Sequence, residues 1–412
     1  MEDVLPKHGL STLMNHFAEG DNPHHALVAP IYQTSTFGFP DVDTGAAIFE
    51  GRHPGYIYTR LGNPNSEQFA RKVALLEALD LVSAHPHDDL EQIAAGKAFA
   101  SGMAAITTTI LARVRAGETI LAQESIYSNT FNFLDEIAPR AGIEVVWVKG
   151  TSISSWEAAF QGHPEAVLAY LETPVNPTMQ ITDLSAIAEI ARQHQSWLMV
   201  DNTFASPYCQ RPLTLGADVV VHSATKYLSG HGVMVGGVAV SRHPEFIRRD
   251  LQYFMKTIGS SPGPFDAWLA NLGLRTFELR MQRHCENADM AAHFLDTHPK
   301  VARVHYPGLL SHPDHATAKK QMAAFGGMLS FELKGGLQAG KRLMNSLKVI
   351  RLAVSLGSVE SLIEHPASMT HSVVPEKERL KAGISDGLVR LSLGIENAED
   401  LIADLEQGLE IV

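Results

Sequence analysis

Short apolar runs alternate with helical ones between residues 96 and 223, and this alternation limits the fold more than any other feature of the chain. GKAFA, TILAQ, IEVVWV, AVLAYLE, WLMVD and ADVVVHS read as strands. Between them, AAITTTILARVR, NFLDEIAPRA and DLSAIAEIARQHQ read as helices, the last capped by Thr182 or Asp183. Strands apolar on both faces and joined by helices build a mainly parallel sheet covered on both sides. The expected class is therefore α/β, with a large domain over 66–265. An extended arm rich in Pro, Gly, His and Thr precedes it at 1–65. After a long helical stretch, VARVHYP, MLSFELK and LVRLSLG predict a smaller C-terminal α/β domain over 266–412. A chain of 412 residues is long for one domain.

Open α/β sheets bind ligands beyond the carboxyl ends of their strands, and the residues with chemistry collect there. VVVHSATKYLSGHG (219–232) sets Lys226 after a strand, between small hydroxyl residues and a glycine-rich turn. A lysine so placed forms a Schiff base with an aldehyde cofactor, and Ser223 and Thr225 are placed to hold a phosphate. WLMV ends in Asp201. A strand-end carboxylate beside such a lysine is what pyridoxal 5′-phosphate (PLP) needs, because it keeps the pyridine nitrogen protonated and the ring electron-accepting. Ser101, Gly102 and Met103 lie between a strand and a helix, where backbone N–H groups suit a phosphate. Asn176, in ETPVNPT, is placed to donate to the phenolic oxygen of the cofactor. Taken singly, these are a turn, an Asn-Pro turn, a capping aspartate and a surface lysine. Jointly, at successive strand ends, they point to PLP.

Lys plus Arg number 33 against 45 Asp plus Glu, a net charge of −12, which argues against nucleic-acid or anionic-membrane partners. No apolar stretch approaches the ~18–20 residues of a membrane span. The start MEDVLPKHG lacks a signal pattern, and two cysteines suggest a reducing compartment; the expected location is cytoplasmic. His85, His87, Asp88 and Asp89 read as a solvated loop, and no metal is expected.

SATKYLSGHG, ASGMAAI, YTRLGNPN, VDNTF with PYCQRPL, and EHPASMTHS with GLVRLSLG occur in one order. Together they resemble the Cys/Met-metabolism PLP enzymes over about residues 8–408. The resemblance implies a fold type I PLP architecture and a homotetramer of two active dimers. It makes Lys226 the Schiff-base lysine and proton shuttle, Asp201 the partner of the pyridine nitrogen and Asn176 that of the phenolic oxygen. Ser101, Gly102, Met103, Ser223 and Thr225 would cradle the phosphate, with Tyr58 and Arg60 of the arm reaching the neighbouring subunit's phosphate. Tyr127 matches the tyrosine stacked on the ring, an acid for the departing γ-group, and Arg390 the arginine that grips the substrate α-carboxylate. An arginine inside an apolar strand needs an anionic partner in any case.

HYPGL, GGMLSFELKGG and ESLIEHPASMTHS are similar to the methionine γ-lyase branch of that family. Val354, before Ser355, stands where cystathionine-handling relatives tend to carry an acidic residue, which implies a smaller and more apolar γ-substituent. The implied activity is α,γ-elimination from methionine or a related sulfur amino acid. Its alternatives are γ-replacement, as in homoserine-ester sulfhydrylases and cystathionine γ-synthase, and cystathionine γ-lysis. Three features depart from the branch: Asn129 where its members carry a cysteine, Val233 after the SGHG turn, and extra length near 80–96.

Overall fold

The computed structural model describes residues 8–412 except 21, 23, 371, 373–375 and 382. Its larger sheet has seven strands: β1 (Ala95–Phe99), β2 (Thr119–Gln123), β3 (Glu144–Val148), β4 (Leu168–Glu172), β5 (Trp197–Asp201), β6 (Val219–Ser223) and β7 (Gly237–Ser241). Their order is β1-β7-β6-β5-β4-β2-β3. The pairings among β2 to β6 are parallel, whereas β7 runs antiparallel to both β6 and β1. The mainly parallel α/β architecture is thus present. Every residue of β2, β4 and β7 is buried, as helical cover on both faces demands.

Two helices show how sequence sets that cover. Pro64–Ala84 buries Phe69, Val73, Leu75 and Leu76 in the core of one face. Gly102–Arg113 buries Ala105, Ile106 and Ile110 against the other. Ile110 is fully enclosed, so Ile110→Ala would leave a cavity costing about 2–5 kcal/mol. Asp183, rather than Thr182, caps the helix Leu184–Gln193, its carboxylate accepting from the Ala186 N–H.

The second sheet has five strands: β8 (Val301–His305), β9 (Met328–Leu333), β10 (Arg351–Leu352), β11 (Leu362–Glu364) and β12 (Leu388–Ser392). They lie in the order β10-β11-β12-β9-β8. The helix Phe277–Asp296 ties the two units together. Phe277 and Met281 enter the core under the large sheet, and Ala288, Ala291 and Leu295 enter that of the small one.

The N-terminal arm is less extended than its composition suggests. Leu10–His16 is helical, and Leu10, Leu13 and Met14, spaced i, i+3, i+4, are buried on the large core. The segment 80–96 completes the Pro64–Ala84 helix and turns through exposed His85, His87, Asp88 and Asp89. Leu90 then re-enters the core. Among the described residues, no group of three or more His, Cys, Asp or Glu is arranged to hold a metal. No described helix is long and apolar enough to cross a membrane.

Candidate active site

The carboxyl ends of β1, β4, β5 and β6 open toward one region. Ser101 follows β1 and caps the helix Gly102–Arg113 by accepting from the Ala104 N–H at 3.0 Å. The first-turn N–H groups of Gly102 and Met103 have no intrahelical acceptors and remain free for an anion. Gly102 is required here: a Cβ would stand 2.8 Å from Ser223 Cβ and 3.0 Å from its Oγ. The Ser223 N–H donates to Thr203 Oγ1 at 2.9 Å. Thr225 is engaged within its own turn, accepting from the Gly236 N–H at 3.1 Å and donating to the Gly236 carbonyl at 3.3 Å.

Asp201 and Glu172 are register partners on the parallel pair β5 and β4, so two buried carboxyl groups point the same way. Burial pushes both upward. Asp201 is drawn back by the Thr203 N–H, which donates at 2.9 Å, and by nearby His222. Glu172 is pushed well above the usual carboxyl range, first by burial and then by the charge of Asp201. Two carboxylates this close do not both ionise readily, and the stronger upward push falls on Glu172. Both oxygens of Glu172 accept from the Tyr127 N–H at 3.0 Å, and the Tyr170 hydroxyl donates at 3.4 Å. Glu172 thereby fixes the start of the helix that carries Tyr127. At the other end of that tyrosine, Asn129 Nδ2 donates to the phenolic oxygen at 3.0 Å.

Lys226 follows β6 and reaches across to the small sheet, its Nζ donating to Ser355 Oγ at 3.1 Å. Burial, then the charge of Arg390, holds the ammonium below the usual lysine range, against an opposing pull from Glu364. Arg390, on β12, donates from Nη1 to Asn176 Oδ1 and from Nη2 to the Ser355 carbonyl, each at 3.0 Å. Its Nη1 also lies 2.9 Å from Glu364 Oε1 on β11. Asn176 Oδ1 is therefore committed to the arginine, which leaves its Nδ2 to donate elsewhere. Close approach of the Ser355 loop to the lysine depends on Gly357, whose φ is +71° and whose Cβ would stand 2.6 Å from the Tyr227 nitrogen. Arg280 braces the turn after Lys226, donating to the Tyr227 and Gly273 carbonyls at 2.8 Å. Burial pushes that guanidinium down to about 10.

The chain thus brings together Lys226, Ser355, Arg390 and Asn176, and separately Asp201, Tyr127 and Asn129 around Glu172. Val354 is 53% exposed beside Ser355. Tyr58 and Arg60 stand on the arm, the guanidinium 5.6 Å from the phenol ring and bonded to the Lys256 carbonyl. Among the described residues no hydrogen bond or ion pair joins either to the Lys226 cluster. Sequence reading passed over Glu172, Glu364 and Arg280. A glutamate in an apolar run needs a cation as an arginine needs an anion, and that signal marks Glu364 in SLIEHP. Arg280 sits in the charged helix FELRMQRHCEN and carries no such signal.

PLP fits this arrangement on three physical grounds. A carboxyl group, Asp201, stands at a strand end with the Thr203 N–H donating to it. Free helix-start N–H groups lie where a Cβ would close the gap to Ser223. A lysine with a depressed pKa follows the same strand that ends in Ser223. The family model described as Cys/Met metabolism PLP-dependent enzyme matches residues 11–410. L-methionine γ-lyase of Fusobacterium nucleatum is 47% identical over 407 residues, 98% of this chain and 99% of that protein. L-methionine γ-lyase of Porphyromonas gingivalis is 46% identical, covering 99% and 98%. The solved structure of cystathionine γ-lyase from Lactobacillus plantarum, complexed with L-serine, superposes with a TM-score of 0.88 at 39% identity, covering 98% and 99%.

Proposed function

The chain belongs to the Cys/Met metabolism PLP-dependent enzymes, and from that premise we propose that it catalyses α,γ-elimination of L-methionine or a related sulfur amino acid. One water is consumed, and a thiol, ammonia and 2-oxobutanoate are released. The observation that carries this reading is the cluster of Lys226, Ser355 and Arg390 with uncharged Val354 exposed at its edge. An apolar residue there suits a thioether and offers nothing to the distal charges of cystathionine.

Bound at this site, PLP supplies an aldehyde that condenses with the substrate amine and a protonated ring that takes up the electron pair of the Cα–H bond. Asp201 would hold the proton of the ring nitrogen, and Asn176 Nδ2, left over from the bond to Arg390, would donate to the phenolic oxygen. The N–H groups of Gly102 and Met103, with the hydroxyls of Ser101 and Ser223, would hold the phosphate, and Thr225 would join them by turning its hydroxyl away from the Gly236 carbonyl. Arg390 grips the α-carboxylate through its remaining N–H groups. Lys226, with its pKa held down, accepts the Cα proton at Nζ and moves protons to neighbouring carbons. Tyr127 donates its phenolic proton to the departing sulfur, and the Asn129 amide stabilises the oxygen left behind.

A homotetramer of two active dimers is part of this proposal, with Tyr58 and Arg60 acting in the neighbouring subunit. Leu27 and Val42 of the arm, 88% and 87% exposed, support a covering partner. Residues 66–265 then form the cofactor-binding domain and 266–412 the domain that carries Arg390. Two free cysteines suit a cytoplasmic setting. The test is a substrate panel on the PLP-loaded protein. L-methionine should yield methanethiol and 2-oxobutanoate. Homocysteine from O-acetylhomoserine and sulfide, with no keto acid from methionine, would instead establish γ-replacement.

A further inference from the structure

Glu364 plays no part in the proposed reaction, yet it holds the group that the substrate must use. It lies on β11 directly opposite Arg390 of β12, is 1% exposed, and has Oε1 2.9 Å from Arg390 Nη1. A guanidinium has five N–H donors. Here Nη1 is divided between Asn176 and Glu364, and Nη2 gives one to the Ser355 carbonyl. An incoming α-carboxylate is left with the second N–H of Nη2 and that of Nε.

The groups facing Glu364 come from every side. Arg390 reaches it from β12, Lys226 from the turn after β6, and the Thr370 hydroxyl from the segment after β11. The neighbouring His365 ring is turned to Ser368 and the Asp386 carbonyl. Tyr127 and Tyr227 flank Arg390 from the large domain. Once Lys226 is joined to the cofactor aldehyde, Arg390 is the cation in direct contact with this carboxylate. Docking of the substrate adds a second carboxylate to the same buried guanidinium. Burial already favours the neutral form of Glu364, and a like charge at the shared arginine favours it further.

We propose that Glu364 is the proton acceptor for substrate docking: as an α-carboxylate takes Arg390, Glu364 passes from carboxylate to carboxylic acid by taking one proton from solvent. The inference rests on Arg390 as the carboxylate grip and is independent of which bond is later broken. Its consequence follows from linkage. Above the free-site pKa of Glu364 a proton must be supplied for each ligand bound, so affinity falls by up to about tenfold per pH unit.

The PLP-loaded enzyme can be titrated with L-norleucine, which lacks a γ leaving group, by calorimetry at pH 8 in buffers of different ionisation enthalpy. Proton changes at the ligand amine are common to all variants. The wild type should take up close to one proton more than Glu364→Gln, and the norleucine Kd of that variant should depend less steeply on pH. Equal proton counts would overturn the proposal, as would failure of the wild type to bind norleucine. Should the Gln variant not fold, infrared difference spectra of the wild type decide. Norleucine should raise a protonated-carboxyl stretch that shifts in D2O, and its absence would equally overturn the proposal. Failure of methionine to yield keto acid would refute the elimination reading and leave this proton count unaffected.

Discussion

Glu172 is pushed further up than Asp201, and if it is the neutral member of the pair it will behave unlike an ordinary buried carboxylate. Glu172→Gln keeps the shape and an acceptor for the Tyr127 N–H, which Glu172 binds through both oxygens at 3.0 Å. If the native group is a carboxylic acid, the amide is nearly isosteric and turnover should change by less than about threefold. Glu172→Ala removes the buried acceptor that holds this N–H, at a cost of about 1–3 kcal/mol. If that cost appears as displacement of Tyr127, kcat falls by roughly 5- to 150-fold, since 1.4 kcal/mol is a factor of ten. Both variants are assayed by 2-oxobutanoate release from methionine. Stability supplies an independent check. The folded pKa of Glu172 is raised above its unfolded value, so the folded state binds more protons in the window above the ordinary glutamate range. Stability contributed by this group is full below that window and is lost as pH rises through it. The Gln variant cannot lose it, so its Tm should gain on that of the wild type as pH rises from 5 to 8. A Gln variant as damaged as the Ala variant, with no relative gain in Tm, would refute the assignment.

Arg390→Lys keeps the charge but loses the planar fork that reaches Asn176, Ser355 and a carboxylate together, so KM for methionine should rise by about 10- to 100-fold in steady-state assays. Asn129→Cys removes a hydrogen bond to the Tyr127 phenol worth about 1 kcal/mol, so methionine kcat should shift about fivefold. An unchanged value would show that this position does not tune the phenol. Arg280→Met leaves the Tyr227 and Gly273 carbonyls without their donor while relieving the burial of a cation. The net loss should be about 3 kcal/mol by denaturant titration, accompanied by weaker PLP retention.

Strand ends carried most of what was legible in the sequence. Lys226, Asp201, Ser101 and Asn176 each follow an apolar run, and the parallel topology converts that position into a common opening. The antiparallel β7 was not legible: its run GVAVS follows a glycine-rich turn and lacks a helix to mark it as a separate unit. Leu10–His16 was missed because seven residues with three buried side chains give a weak period amid Pro- and Gly-rich sequence. Glu172 and Glu364 were hidden for another reason. Each is defined by the residue opposite it across a strand pair, Asp201 in one case and Arg390 in the other, and pairing register is not written in local sequence. Asn129, suspected only as a departure from relatives, gains a physical role from its bond to the Tyr127 phenol.

The central claim is that Lys226 drives cleavage of the Cγ–S bond of a sulfur amino acid. Simultaneous measurement of methanethiol, ammonia and 2-oxobutanoate from L-methionine, for the PLP-loaded wild type and Lys226→Ala, tests it most directly. The account predicts the three products in equal amounts from the wild type and none from the variant. Keto acid formed at the wild-type rate by Lys226→Ala, or no products from the wild type, would contradict it.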